Sequence, residues 1–265
     1  MSVSPICLPA ADGLYSADQF SRLSSGRLLH SAIRSTAVGH GRDFPRSGRW
    51  RPHSGLTPSQ SVIRHHPDLF YGNAGNIYRR LNDYRRLRRL GTGVFAVSYR
   101  GYAKSEGSPS EAGIYRDGKV AFDYVAKVMG FLPSRIFIFG RSIGSTVATD
   151  LAQDKDIAGL ILVSPLSSAR DQASAMGLGF ATPLVGKAFE NDKKIKRLKA
   201  PLLVMHGTRD QIVPIGMGRK VFDAAISQKS FHEIEGAGHN NLSNRFAKSY
   251  WTTISVFLKQ SSKNR

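Results

Sequence analysis

The sequence predicts an α/β fold in which a mostly parallel sheet is flanked by helices. From residue 68 onward, short runs of β-branched or aromatic residues alternate with stretches of helical periodicity. This alternation is typical of βα units on a parallel sheet. The connections between the runs are short, as expected for a doubly wound arrangement.

Five strands and six helices follow from this alternation. The strand candidates are residues 93–99, 135–139, 160–164, 202–206 and 231–235. The helix candidates are residues 74–90, 109–129, 142–154, 184–198, 216–228 and 241–259. The connection at 165–199 is longer and its first part is rich in Gly, Ser and Ala, so we predict a short lid there. Its apolar residues are expected either to line an acyl pocket or to pack the lid onto the body.

Length and composition restrict the class of protein. A chain of 265 residues accommodates one α/β domain with some excess. Its single cysteine, Cys7, excludes an internal disulfide and any metal site built from several cysteines. No apolar run approaches the ~20 residues of a membrane span, and the first thirty residues lack the pattern of a signal peptide. We therefore expect a cytoplasmic protein.

The basic charge is concentrated in clusters. The formal net charge is +19, and the segment Arg79–Arg89 alone carries six arginines. One interpretation is weak contact with an anionic lipid surface. The other is a solvated helix face, because apolar residues recur there every three or four positions. No specific nucleic-acid binding is expected, since no DNA- or RNA-binding motif is present.

Residues 1–67 have a different composition from the rest of the chain. Residues 20–67 contain eight arginines, five histidines and four prolines but no lysine, and they show no helical or strand periodicity. This segment is predicted to be disordered or irregular, with the globular domain at 68–265. A transit-like sequence and the product of a frameshift or a mistaken start are the alternatives.

One serine lies in a context that indicates nucleophilic catalysis. The sequence G-R-S-I-G at 140–144 directly follows the apolar run at 136–139 and precedes a predicted helix. This context predicts a nucleophile elbow, a sharp turn that exposes the Ser142 hydroxyl and needs glycine where strand and helix approach. The turn would also direct the Ile143 N–H toward a developing oxyanion. For Ser142 alone, an ordinary helix cap is the alternative.

A base and an acid follow in the order that a triad requires. His239 lies in E-G-A-G-H-N at 235–240, after the last strand, and Asp210 lies in a loop after the preceding strand. His206 and His232 fall inside strand patterns and are interpreted as structural. Nucleophile, acid and base therefore each follow a strand, which favours the triad Ser142, Asp210 and His239.

Five motifs in order carry a resemblance to a known family. They are G-N-A-G-N at 72–76, Y-R-G-Y at 99–102 with S-E-G at 105–107, G-R-S-I-G, G-T-R-D-Q-I-V-P at 207–214 and G-A-G-H-N at 236–240. Residues 72–260 thereby resemble the α/β-hydrolase superfamily, in particular its serine aminopeptidase-like and palmitoyl-thioesterase-like branch. The resemblance implies the α/β-hydrolase fold and a second oxyanion donor, the N–H of Asn73. It implies no metal and no cofactor.

The sequence departs from this family near the oxyanion loop. Tyr71 stands where relatives have histidine, and Ala103 stands where glycine is usual. The strand before the loop should be buried and apolar, but H-H-P-D-L-F at 65–70 contains a proline and an aspartate. We therefore expect the N-terminal strands to be atypical or missing. A frameshift would explain this, and translation of the other two reading frames tests it.

The expected function is that of a serine hydrolase that cleaves an ester, a thioester or an amide through an acyl-enzyme intermediate. Its partner would be a small-molecule acyl substrate. A transferase or haloperoxidase-like activity on the same fold is one alternative. The other is a degenerate, inactive homologue or a basic-surface binding protein.

Overall fold

A single sheet organises the part of the chain that the structure describes. The computed structural model describes residues 4–8, 66–70, 80–102, 105 and 107–263. Within these residues, seven strands lie in the order β1-β3-β2-β4-β5-β6-β7. They are β1 (Ser4–Leu8), β2 (His66–Phe70), β3 (Val94–Ser98), β4 (Ile136–Arg141), β5 (Gly159–Val163), β6 (Leu202–Gly207) and β7 (Lys229–Ile234). β1 pairs antiparallel with β3 and all other pairs are parallel, which confirms the predicted fold class.

Helices cover both faces of this sheet. They are α1 (Leu81–Arg89), α2 (Glu111–Asp123), α3 (Gly144–Ala152), α4 (Ala169–Ala175), α5 (Thr182–Val185), α6 (Asn191–Lys194), α7 (Ile215–Ala224) and α8 (Ala247–Lys263). One core contains side chains of α2, α3 and α7, and the other contains side chains of α1 and α8. The helical arrangement is therefore a three-layer sandwich with the sheet in the middle.

Residues 136–139 of β4 and all of β5 are apolar because both faces of these strands are buried. In β4, Ile136 and Ile138 join the core beneath α2 and α3, whereas Phe137 and Phe139 join the core beneath α8. The same alternation occurs in β5, where Leu160 and Ile161 belong to opposite cores. This alternation explains why the predicted central strands match the observed ones to within one or two residues.

The N-terminal strands are atypical in sequence, but two of them are present. β2 lies between β3 and β4, and its residues Asp68 and Phe70 pair with Ile138 and Gly140. The strand that leads to Ser142 therefore has a parallel neighbour on this side. β1 also lies in the segment that was predicted to be irregular, and the domain boundary predicted at 67 falls inside β2. The rest of 1–67 lies outside the described residues.

The lid predicted at 165–199 consists of short helices and not of one helix over 184–198. α4, α5 and α6 are separated by turns, and the backbone has positive φ angles at Gly186 (65°) and Phe189 (54°). Such angles end a right-handed helix. Phe189 packs against the core, as one interpretation of the lid predicts. Four other apolar side chains are instead 44–90% exposed, namely Met176, Leu178, Phe180 and Leu184.

Candidate active site

Ser142 occupies a strained turn between β4 and α3. Its φ angle is 53°, a left-handed conformation that costs energy for a residue with a side chain. Its N–H donates to the Val163 carbonyl at 2.9 Å, and its carbonyl accepts the Ser145 N–H at 2.8 Å. These bonds fasten the turn to the sheet on one side and to the helix on the other. The predicted elbow therefore has the backbone geometry that its sequence requires.

Gly140 is the residue that lets strand and helix approach. A Cβ at this position would lie 2.5 Å from the Ala148 Cβ and 2.6 Å from the Gly144 carbonyl oxygen. Helix α3 would have to move, so we expect Gly140→Ala to lower the free energy of unfolding by about 1–3 kcal/mol. Urea unfolding measures this change. Gly216→Ala is the matched control, because a Cβ there meets nothing within 4 Å; equal losses in both variants would contradict the close approach.

Asp210 is held in the loop that follows β6. Its Oδ1 accepts the N–H groups of Ile212 and Val213 at 3.0 and 2.9 Å. The loop is packed closely against the next one, since a Cβ on Gly207 would lie 2.3 Å from the Ala237 carbonyl oxygen. The carboxylate is therefore oriented by backbone donors, and its second oxygen remains for a partner.

His239 connects Asp210 to Ser142. Its Nδ1 lies 2.8 Å from Asp210 Oδ2, and its Nε2 lies 3.1 Å from Ser142 Oγ. The imidazole is 4% exposed, whereas Ser142 remains partly exposed. The structure thus brings together the three residues that the sequence selected, although 97 positions separate the serine from the histidine.

The charge of Asp210 determines the histidine tautomer. Burial by itself would raise the pKa of the Asp210 carboxyl, but hydrogen bonds from His239 and from the Val213 N–H outweigh this effect. The pKa of Asp210 therefore lies below its usual range, and the carboxylate is ionised near neutral pH. An ionised acceptor requires the proton on Nδ1 of His239, so Nε2 is left to accept the hydroxyl proton of Ser142.

His206 lies beneath the site as a buried neutral residue. Its Nε2 is 2.8 Å from the Val213 carbonyl oxygen, and because a carbonyl only accepts, Nε2 must donate. The same nitrogen lies 3.6 Å from Asp210 Oδ2. Burial lowers the pKa of His206 below 6.5. His206 therefore has the structural role that the sequence assigned to it. It supports the loop at 208–214 that carries Asp210, called the acid loop below.

This buried histidine should make stability depend on pH. With its pKa lowered by folding, His206 binds a proton more readily in the unfolded chain. The stability that neutral His206 provides is therefore fully present above pH 6.5, and the free energy of unfolding decreases as pH falls below that value. We expect His206→Gln to reduce the slope of unfolding free energy against pH between 7.5 and 5.5. The control is His232→Gln, whose histidine is less buried; if both variants change the slope equally, this explanation is wrong.

The oxyanion site is described only in part. Ile143 lies at the start of α3, where helix N–H groups have no acceptor within the helix. Asn73, Tyr71 and Ala103 lie outside the described residues, so the role of Asn73 stays a prediction.

In the ranges that the structure does describe, no group of three or more His, Cys, Asp or Glu residues is placed to hold a metal ion. No helix in these ranges is long and apolar enough to cross a membrane.

Two contacts at the site have no signal in the sequence. The Arg141 guanidinium donates to the carbonyl oxygen of His239, 98 residues away. On the lid, Gln172 Nε2 of α4 donates to the Ile212 carbonyl in the acid loop at 2.7 Å. Arg141 fills a position that the G-x-S-x-G motif leaves open, and Gln172 belongs to no motif, so only the folded chain reveals which loops they join.

Comparison with known proteins supports the fold and the family. The sequence model of the serine aminopeptidase family S33 matches residues 71–193 and 187–245, more than half of the chain. The α/β hydrolase domain-containing protein 17C of Xenopus tropicalis is 31% identical over 206 residues, which are 73% of this chain and 64% of that protein. The protein aho-3 of Caenorhabditis elegans is 35% identical over 153 residues, 58% of this chain and 45% of that protein.

Solved structures give the same result. An α/β hydrolase of Vibrio vulnificus is 26% identical with a TM-score of 0.63, covering 72% of each chain. The Pyrococcus furiosus esterase Pf2001 is similar in fold, with a TM-score of 0.62, 18% identity, and coverage of 75% of this chain and 82% of that one. The match spans less than two thirds of the length of either curated relative. The chain belongs to the serine aminopeptidase S33 family of the α/β-hydrolase superfamily.

Proposed function

We propose that this chain is a serine hydrolase that cleaves a carboxylic ester, thioester or amide through an acyl-enzyme intermediate. The observation that carries the proposal is the chain of contacts from Ser142 Oγ to His239 Nε2 (3.1 Å) and from His239 Nδ1 to Asp210 Oδ2 (2.8 Å). A serine is a weak nucleophile until an adjacent base takes its proton. Here the base is within reach of the hydroxyl and is itself oriented by a buried carboxylate.

Acylation begins when Ser142 Oγ attacks the substrate carbonyl carbon. His239 Nε2 accepts the hydroxyl proton as the new C–O bond forms, and Asp210 stabilises the resulting imidazolium. The carbonyl oxygen becomes an oxyanion, which the N–H of Ile143 and, from the family resemblance, the N–H of Asn73 receive. Loss of one such donor typically costs about 3 kcal/mol of transition-state stabilisation. His239 then returns the proton to the leaving alcohol, thiol or amine.

Deacylation repeats these steps with water as the nucleophile. His239 takes a proton from water, water attacks the ester carbonyl on Ser142, and the collapse of the second tetrahedral intermediate releases a carboxylic acid. Ser142 regains its proton from His239. The partial exposure of Ser142 gives both substrate and water access to the hydroxyl.

A substrate panel with product analysis tests this proposal. The panel contains a p-nitrophenyl ester, a thioester and an anilide with the same acyl group, each with and without added alcohol. We expect release of the free acid, preceded by a burst of leaving group equal to the amount of active chain. Acyl transfer to the alcohol without formation of acid would favour a transferase instead. No turnover by correctly folded protein would favour a degenerate homologue.

The exposed arginines of α1 support a second candidate, binding to an anionic lipid surface. Arg85, Arg86 and Arg89 face solvent, while Tyr84 and Leu87 are buried beneath them. Such a helix can attract acidic headgroups through charge alone. This activity could accompany hydrolysis or exist without it.

Vesicle binding tests this second candidate. Binding to phosphatidylserine vesicles should fall steeply between 0.05 and 0.5 M salt. Replacing the three exposed α1 arginines with glutamine should weaken it more than replacing three exposed lysines of another cluster, Lys193, Lys196 and Lys199. The two variants change the net charge equally. Equal losses would assign the binding to total charge and not to α1.

A further inference from the structure

Arg141 links the nucleophile strand to the loop of the catalytic base. It is the last residue of β4, directly before Ser142, and it is 9% exposed. Its guanidinium donates to the main-chain carbonyl oxygen of His239 and lies 3.5 Å from the Asn240 side-chain oxygen. Arg141 thus holds the main chain of the catalytic base itself.

The loop that carries His239, residues 235–241, makes further hydrogen bonds that do not involve β4. The Gly236 N–H donates to Thr208 Oγ1 and the Gly238 N–H donates to Asn241 Oδ1, both at 2.9 Å. The Ala237 carbonyl accepts the Arg209 N–H at 2.9 Å. These bonds attach the loop to the acid loop and to itself. Among the hydrogen bonds of the described residues, those from the Arg141 guanidinium connect this loop to β4.

We propose that Arg141 is a positioning residue, which sets the distance between His239 Nε2 and Ser142 Oγ by holding the His239 backbone against β4. The proposal rests on the proposed hydrolase function. Because Arg141 and Ser142 are adjacent in sequence, any movement of the elbow carries the contact to His239 with it. Nucleophile and base therefore move as one unit, while Asp210 holds only the far side of the imidazole.

The expected effect is on reaction rate and not on the amount of active protein. A displacement of about 1 Å in a reacting group can cost about 10²-fold in rate. We expect Arg141→Met, which keeps the length of the side chain and removes its donors, to lower kcat 10- to 100-fold while KM changes less than threefold. Arg141→Lys retains a charged donor group, the ammonium, that can reach the carbonyl, so it should recover part of the lost rate.

Labelling with a fluorophosphonate probe separates positioning from stability. Misfolding lowers the final extent of labelling, whereas a displaced base lowers the rate constant at full extent. The control is Phe257→Leu, since Phe257 packs against Phe137 in the core, away from the triad; it should reduce stability and keep the wild-type rate constant. A wild-type rate constant in Arg141→Met, or an equal drop in Phe257→Leu, would overturn the proposal.

Hydrogen exchange gives a readout that does not need enzymatic activity. In Arg141→Met and in Arg141→Lys, exchange of the backbone amides at 236–241 should accelerate, more in the methionine variant, while the amides of β5 and β6 keep their protection. Unchanged exchange at 236–241 would show that Arg141 does not hold the loop. If the wild-type protein fails to label but the loop loses protection in the variants, the hydrolase function is wrong and the contact is real.

Discussion

Ser142→Ala should lower the rate of ester cleavage by about 10⁴-fold or more. The methyl group of alanine cannot form the acyl-enzyme, so the remaining rate would reflect substrate binding and oxyanion stabilisation of attack by water. KM should change little, because the oxygen that is removed interacts with the substrate mainly in the transition state. Steady-state kinetics on the most rapidly cleaved p-nitrophenyl ester measures both quantities.

His239→Ala is the comparison that shows whether serine and histidine act as a unit. We expect a loss similar to that of Ser142→Ala, and we expect the double variant to be no slower than either single one. If the fold-loss in rate of the double variant equals the product of the two single losses, the residues act independently. The 3.1 Å contact between them would then not represent proton transfer.

Asp210→Asn should lower kcat by about 10⁴-fold with little loss of stability. The asparagine side chain can keep an oxygen toward the N–H groups of Ile212 and Val213, so the loop is preserved. The amide nitrogen would then face His239 Nδ1 as a donor. This reverses the hydrogen bond, puts the imidazole proton on Nε2, and leaves no acceptor for the proton of Ser142.

The pH dependence of Asp210→Asn provides its control. Hydroxide can take the Ser142 proton directly, so part of the lost rate should return as pH rises into the alkaline range, where hydroxide replaces the base that the wrong tautomer cannot provide. Thermal unfolding should show the variant folded under the conditions of the assay. A variant within tenfold of wild type at neutral pH would mean that Asp210 does not orient the base.

The central strands and the triad were predictable from sequence because each follows a local rule. β4 and β5 are buried on both faces, so their apolar runs identify them without reference to the rest of the fold. The turn at Ser142 needs glycine at 140, where a Cβ would collide with α3. Asp210 and His239 were identified from loops that follow strands, and parallel strands bring those loops to one edge of the sheet.

Other features depend on partners that are distant in the chain. β2 contains Pro67 and Asp68, which argue against a central strand, and its pairing with β3 and β4 overrides that local preference. Within the lid, the sequence predicts one helix over 184–198, but the positive φ angles at Gly186 and Phe189 divide this stretch. The contact from Arg141 to His239 joins residues 98 positions apart, a distance over which no spacing rule applies.

Identification of the labelled residue tests the central claim, that Ser142 is the nucleophile. After reaction with a fluorophosphonate and digestion with trypsin, the peptide 142–155 begins with this serine and also contains Ser145. Fragmentation of the labelled peptide should place the probe mass on its first residue, and Ser142→Ala should give no labelled peptide. The probe mass on Ser145 or on any other peptide, or labelling that persists in Ser142→Ala, would contradict the triad.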